Sequence, residues 1–481
     1  MRKFYLFLLL LSVTIVACSK DVSEQPCCAT NDDVALSCKG STIPVEQALK
    51  NLDDLVNVLY PETRTRKAKT YSKESVLTYV THATTRSSSK IELPDTLVYI
   101  VNFDDGEGFA LLGAQSNLSS VYSITESGTF DVNKFSEALN YEIEHNLLTP
   151  EEYAARIAAE QEEVVEYGVA NNEDIAYNIM ASAVLIDSTG PLPWEPSPED
   201  PPIIDGGTIL PPIPISTEVD ESWEFVEKYD PLLTTEWTQW SPFNLKCKDS
   251  EGNICPAGCA VIAVAQIMAY HEFPQNAAFN GVLVDWNTVK QYNKNMTYDD
   301  DSTIATQLSN LCFELGKPEN CDISYSTSGS STTAQRAKVT LNNYGFKNVD
   351  KRLGFGSADI EKIRIMIKNN KPVYVGACIS MKNGHALVAD GYVKRKLKTT
   401  KVYHYANGTS STSFTYGEEE QLIHYNWGYA GLHNGYYVAK AEINSDERYP
   451  YEDSDECIAD SDDPNDYRYY DRYFRVITYD L

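Results

Sequence analysis

Residues 255–271 read CPAGCAVIAVAQIMAYH, and this stretch decides the fold. From Ala260 onward Val261, Val264, Ala265 and Met268 recur at helical spacing, and Pro274 stops the helix soon after His271. Cys259 therefore falls at or just before a helix N-terminus. Unpaired N–H groups and the positive end of the helix dipole favour a thiolate there. Pro256-Ala257-Gly258 supplies a turn, and Gly258 leaves room beside the sulfur. A cysteine at a helix start is most often structural, so the nucleophile reading requires a base elsewhere in the chain.

There are seven histidines. His82 and His145 lie far upstream, and His271 sits twelve residues along the same helix, about 18 Å from the sulfur, where it is expected to cap the C-terminus. His385, His404, His424 and His433 remain. In NGHALVADGY, residues 383–392, His385 follows Gly384 at the start of an apolar strand, a rigid mount facing open space. In LIHYNWGYAG, residues 422–431, alternation puts Leu422, His424 and Asn426 on one face and Ile423, Tyr425 and Trp427 on the other. An Asn-bearing strand beside a His-bearing one offers an orienter for imidazole, the third member of a Cys-His-Asn set. His424 reads as a strand-face residue in a hydrogen-bonded network.

Around this core, 191–214 holds nine of the 22 prolines, an extended linker composition that also tolerates a processing cut. The linker is placed at 191–216, with a larger unit at 217–481 and a small α+β unit at 41–190. In the small unit Val45–Leu59 has helical periodicity, TLVYIVNF and GFALLGA read as a hairpin joined by DDGEG, and Thr149 to Val165 opens with a capping box. Residues 392–421 alternate around ANGTSS and read as an added β-hairpin carrying His404. The acidic run YEDSDECIADSDDPND lacks the spacing and central glycine of an EF-hand loop, and the aromatic run after it reads as a closing strand.

A net charge of −29 argues against non-specific binding to nucleic acid or anionic lipid. The basic Arg2-Lys3 followed by the apolar run 4–16 predicts an export signal over 1–18. Ile15-Val16-Ala17-Cys18 resembles a bacterial lipobox, with Cys18 lipidated and 19–40 a tether; ordinary cleavage near Ala17 is the alternative. Export permits disulfides, among which Cys247–Cys255 is plausible. Cys247, Cys255 and Cys259 lack zinc-ligand spacing, and neither metal nor cofactor is expected.

CPAGCAVIAVAQIMAYHEFP, NGHALVADGY and HYNWGYAG with NGYY together resemble the streptopain family of papain-fold cysteine proteases. DPLLTTEWTQWSPFN, residues 230–244, is similar to that family's glutamine-bearing segment. The resemblance covers roughly 225–440 and the closing strand, and it implies an α+β papain-like fold. It implies Cys259 as nucleophile, His385 as base and then acid, Gln239 as oxyanion donor, Asn426 as orienter of His385, and Trp427 as shield of that hydrogen bond. YSTSGSSTTAQRA resembles a substrate-side loop, which puts Ser331 and Gly384 beside bound peptide. The small unit resembles an inhibitory propeptide. Gly428-Tyr429-Ala430-Gly431 and Ala260-Val261-Ile262-Ala263 depart from the family's usual residues and reshape the cleft wall without removing a catalytic group.

The expected protein is thus an exported, lipid-anchored cysteine endopeptidase made as a zymogen, on the periplasmic side of a membrane or at the cell surface. Its partners would be protein or peptide substrates and its own propeptide. Acyl transfer to an amine, as in transglutaminases, and an idle papain-fold binding protein are the alternatives.

Overall fold

A computed structural model describes residues 41–63, 68–72, 75–80, 93, 96–146, 167–168, 172–189, 214–353, 355–378, 384–439 and 474–481. The export signal with Cys18, the tether, the capping-box helix at 149–165, the Pro-rich run 191–213 and the acidic run lie outside these residues.

The first unit opens with α1 (Val45–Leu59), at the bounds its periodicity predicts, burying Ala48, Leu52, Leu55, Val56 and Leu59 on one face. Strands β1 (Val76–Val80), β2 (Thr96–Asn102), β3 (Phe109–Gly113) and β4 (Ser123–Thr125) form an antiparallel ladder. The DDGEG connection makes its turn with Asp105, Gly106 and Gly108 at positive φ. A Cβ at Gly108 would lie 2.2 Å from the Thr125 carbonyl oxygen, so the close approach demands glycine. Then come α2 (Val132–Asn146), the short β5 (Tyr167–Gly168) and α3 (Asn172–Thr189).

The second unit runs through β6 (Ser216–Tyr229), α4 (Cys259–His271), β7 (Ala278–Phe279), β8 (Val282–Leu283), α5 (Trp286–Lys290), α6 (Thr303–Leu315), β9 (Ser331–Thr332) and α7 (Ala334–Asn343). It continues with β10 (Lys347–Leu353), α8 (Ser357–Lys368), β11 (Val373–Cys378), β12 (Gly384–His404), β13 (Ser410–Asn426), β14 (Gly435–Val438) and β15 (Arg475–Asp480). Every residue of α4 from Cys259 to Ala269 is buried, which is why its sequence is apolar all round. Helices α6 and α7 pack on one side of α4, and β11 and β12 on the other. The class is α+β, a helical layer with the nucleophile helix at its centre against an antiparallel sheet.

That sheet does not stop at the boundary between the units. Its order is β1-β2-β3-β4-β14-β13-β12-β11-β15-β10, with β6 added alongside β12. The joint is β4 on β14, where Thr125, Ile124 and Ser123 face Gly435, Tyr436 and Tyr437. The expected linker edge moves slightly: pairing begins at Ile215, whose N–H bonds the His404 carbonyl, and β6 starts at Ser216. The added hairpin is present as the far half of β12 and β13, turning at 405–409, with β6 as its third strand.

Two expectations are corrected. His271 does not cap its helix; its Nε2 lies 2.9 Å from the Tyr479 hydroxyl, tying α4 to β15, while Glu272 ends the helix in the left-handed conformation. Cys247 and Cys255 are both free thiols, joined only through a backbone bond from the Cys255 N–H to the Cys247 carbonyl.

Candidate active site

Cys259 is mounted by the turn before it. The Ala257 N–H donates to the Gln239 carbonyl at 2.8 Å, Ser330 Oγ donates to the Pro256 carbonyl at 2.6 Å, and Gly258 enters the helix at φ 96°. That left-handed φ, with Ile323 where a side chain would go, explains glycine before the cysteine. Cys259 is the first residue of α4.

The Cys259 sulfur accepts the Ala386 N–H at 3.2 Å, so the strand that carries His385 also touches the sulfur. His385 and Cys259 line one cavity with Ile323, Ser330, Thr332 and Tyr374. Its free space is about 10 Å³, the room of a single water. His385 Nε2 lies 2.7 Å from the Trp427 carbonyl oxygen. A carbonyl can only accept, so Nε2 carries the proton and a neutral imidazole keeps its lone pair on Nδ1. That Nδ1 is buried and has no hydrogen-bond partner among the described residues. It is the nitrogen available as a base.

Asn426 does not orient His385. Its Nδ2 donates to the Thr235 carbonyl at 2.7 Å, while its Oδ1 accepts from Gln266 Nε2 at 3.2 Å and from the Gly428 N–H at 3.0 Å. Both lone pairs of that oxygen are used, leaving none for an imidazole. The reason is strand alternation: Asn426 and Trp427 point to opposite sides, and it is Trp427, through its carbonyl and its ring, that meets His385. The hydrogen bond that Trp427 is expected to shield is not made; its ring instead stacks beside the imidazole at 5.7 Å with planes 9° apart, and its carbonyl performs the orienting.

Gln239 is buried, its Oε1 lacks a hydrogen-bond partner among the described residues, and its side chain is not among those lining the Cys259 cavity. Ser331 lies on β9, bonded to Ser324 through both backbone groups, and Gly384 opens β12 opposite Cys378. His424 is the network residue its strand predicts, with Nδ1 2.6 Å from Asp390 Oδ1. His404 sits on the hairpin against Ser410.

Gln266 is the site residue that sequence reading missed. Fully buried in α4, it accepts from Thr235 Oγ1 at 2.6 Å and holds Asn426. The signal was a lone amide in an apolar helix, two turns beyond Cys259.

Electrostatics describe a resting site. Burial pushes the Cys259 thiol up to about 11, against the pull of the Ala386, Ala260 and Cys259 N–H groups. Burial likewise pushes His385 down to about 4; the Trp427 carbonyl opposes this and His433 adds to it. A neutral thiol and a neutral imidazole therefore line the same cavity. The first unit reaches the same place: Tyr167 and Gly168 pair antiparallel with Thr332 and Ser331, adding a strand along the cleft wall. Behind it, Tyr177 of α3 packs edge-on to His433, which in turn meets Trp427.

The site thus brings together a thiol at a helix N-terminus and, in the same cavity, a histidine with a free lone pair supplied by an antiparallel sheet. Residues 237–437 match the model of the Peptidase C10 family. The chain is 26% identical over 227 residues to the thiol protease/hemagglutinin PrtT of Porphyromonas gingivalis, covering 43% of this chain and 23% of that protein. It is also 26% identical over 236 residues to streptopain of Streptococcus pyogenes, covering 42% of this chain and 52% of the relative. The chain thus spans about half or less of the length of these relatives. Among solved structures, a prointerpain A fragment of Prevotella intermedia aligns over 79% of this chain and 95% of its own, at 15% identity and TM-score 0.42. Active interpain A of the same organism aligns over 44% and 85%, at 23% identity and TM-score 0.33.

Proposed function

We propose that the chain is a cysteine endopeptidase made as an inactive precursor and exported as a lipoprotein through Cys18. The observation that carries the reading is that Cys259 and His385, whose Nδ1 keeps a free lone pair, line one cavity. On opening of the cleft, His385 Nδ1 takes the thiol proton and the thiolate attacks a peptide carbonyl. The Cys259 N–H and the Gln239 side-chain amide would hold the oxyanion, each fixed donor contributing about 10²–10³ in rate. His385 then passes its proton to the leaving amine, and water activated by the same nitrogen hydrolyses the thioester.

Substrate would run along β9, on the edge that Tyr167 and Gly168 occupy in the uncut chain. That occupancy supports the first unit as an intramolecular inhibitor, removed by a cut within 191–213. The test is intact mass over time for the precursor beginning after Cys18, beside its Cys259→Ala twin under mild reductant. Loss of about 200 residues from the first alone supports a self-processing protease. Loss from neither, with no thiol labelling after an external cut, overturns the enzyme reading.

A further inference from the structure

Some 30 Å along β12 from His385, ten residues at about 3.3 Å each, sits a charged side chain with no access to solvent. Arg395 is 0% exposed and Glu420, opposite it on β13, is 6% exposed. Nε of Arg395 donates to Glu420 Oε2 at 2.7 Å, and Trp223 of β6 lies under the guanidinium at 4.4 Å. These contacts belong to the second unit alone and do not satisfy either group.

The first unit supplies the remainder. Arg395 Nη1 donates to Asn51 Oδ1 of α1 at 2.9 Å, and Nη2 to Ser120 Oγ at 2.8 Å. Glu420 Oε1 accepts from Ser120 Oγ at 2.8 Å and from the Val121 N–H at 3.2 Å. A buried ion pair is tolerated only when its remaining donors and acceptors are met, and removing part of that shell is strongly unfavourable. Here part of the shell sits on the other side of the unit boundary.

We propose that Arg395 and Glu420 form a docking site for the cleaved first unit, recognising Asn51 and the Ser120–Val121 turn. Release of that unit is then a step separate from the cut. The site is remote from the cleft, and hydrolysis within 191–213 breaks none of its bonds. The cut precursor stays closed until this contact opens, which strips the buried ion pair of the rest of its hydrogen-bond shell. The inference rests on the first unit being the removable inhibitor.

The test uses the full chain with Cys259→Ala and a recognition sequence for a site-specific protease inserted after Gly206. After nicking, the two parts are expected to co-elute on gel filtration. Arg395→Met should weaken their association by about 100-fold or more, so that they separate at the same concentration. The pair Asn51→Ala with Ser120→Val, which leaves the second unit untouched, should do the same and guards against misfolding of the Arg395 variant. Co-elution of both variants with an unchanged dissociation constant overturns the docking site. The same nicked chains with Cys259 intact test the underlying reading: parts that separate without any peptide hydrolysis appearing would refute the inhibitor reading and leave the docking site standing.

Discussion

His385 is oriented by the backbone carbonyl of Trp427, 2.7 Å from its Nε2, and the side chain of the neighbouring Asn426 points away into a network with Gln266 and Thr235. The asparagine thus acts on the imidazole through the turn it braces. It is a positioning residue at one remove.

Asn426→Ala and Gln266→Leu should therefore behave alike. Each leaves buried hydrogen-bonding groups unmet, at about 1–3 kcal/mol, so melting temperature falls in both. Peptide hydrolysis by the folded, cut enzyme should fall about tenfold or less, because the carbonyl acceptor is still present. A loss of 10³ or more in Asn426→Ala with unchanged melting temperature would mean that its amide meets His385 directly during turnover.

Thiol reactivity should separate uncut from cut chain. With the Cys259 thiol pushed up to about 11, the thiolate fraction at pH 7 in the uncut chain is about 10⁻⁴. Alkylation by iodoacetamide should be slow at pH 7 and rise steeply toward pH 10. The cut and opened enzyme should react fast near neutrality, through a thiolate paired with His385. Equal rates for the two forms at pH 7 would refute a closed cleft.

The strand laid on β9 can be removed by backbone chemistry alone. Proline at position 167 or 168 deletes an N–H and resists the ladder with Ser331 and Thr332. In the uncut chain one of the two, Tyr167→Pro or Gly168→Pro, should speed labelling of Cys259 by about tenfold or more. No change with either would show that these residues do not hold the cleft shut.

His424 should make the joint between the units alkali-sensitive. Burial lowers its affinity for a proton, but Asp390, at 2.6 Å, and Glu126 of the first unit, at 3.6 Å, overcome this and raise it to about 9. A histidine raised on folding contributes its full stability below about pH 6.5 and loses it as pH climbs through about 9. The melting temperature of the uncut chain should fall between pH 7 and 10. Glu126→Gln should flatten that decline, and an unchanged slope would assign it to other groups.

Much of the site is legible in the chain. Cys259 is marked by glycine, helix start and an apolar run, all local signals. His385 is marked by Gly384 and the strand after it, and α1 by its period. The error at Asn426 has a physical source. Alternation assigns faces correctly, yet which group meets the imidazole depends on a carbonyl that no residue type records. Gln266 was passed over because an apolar helix draws attention to its majority.

Local spacing by itself marked Cys259 at a helix start, His385 at a strand start and the period of α1, because each signal lies within some twenty residues. Tertiary structure decided what the parts do to one another. Pairing of β4 with β14 and of β5 with β9 joins strands distant in sequence through backbone bonds, which carry no sequence signature. Arg395 reads as an ordinary surface charge between two lysines on a hairpin, and only the fold buries it and hands its hydrogen bonds to Asn51 and Ser120.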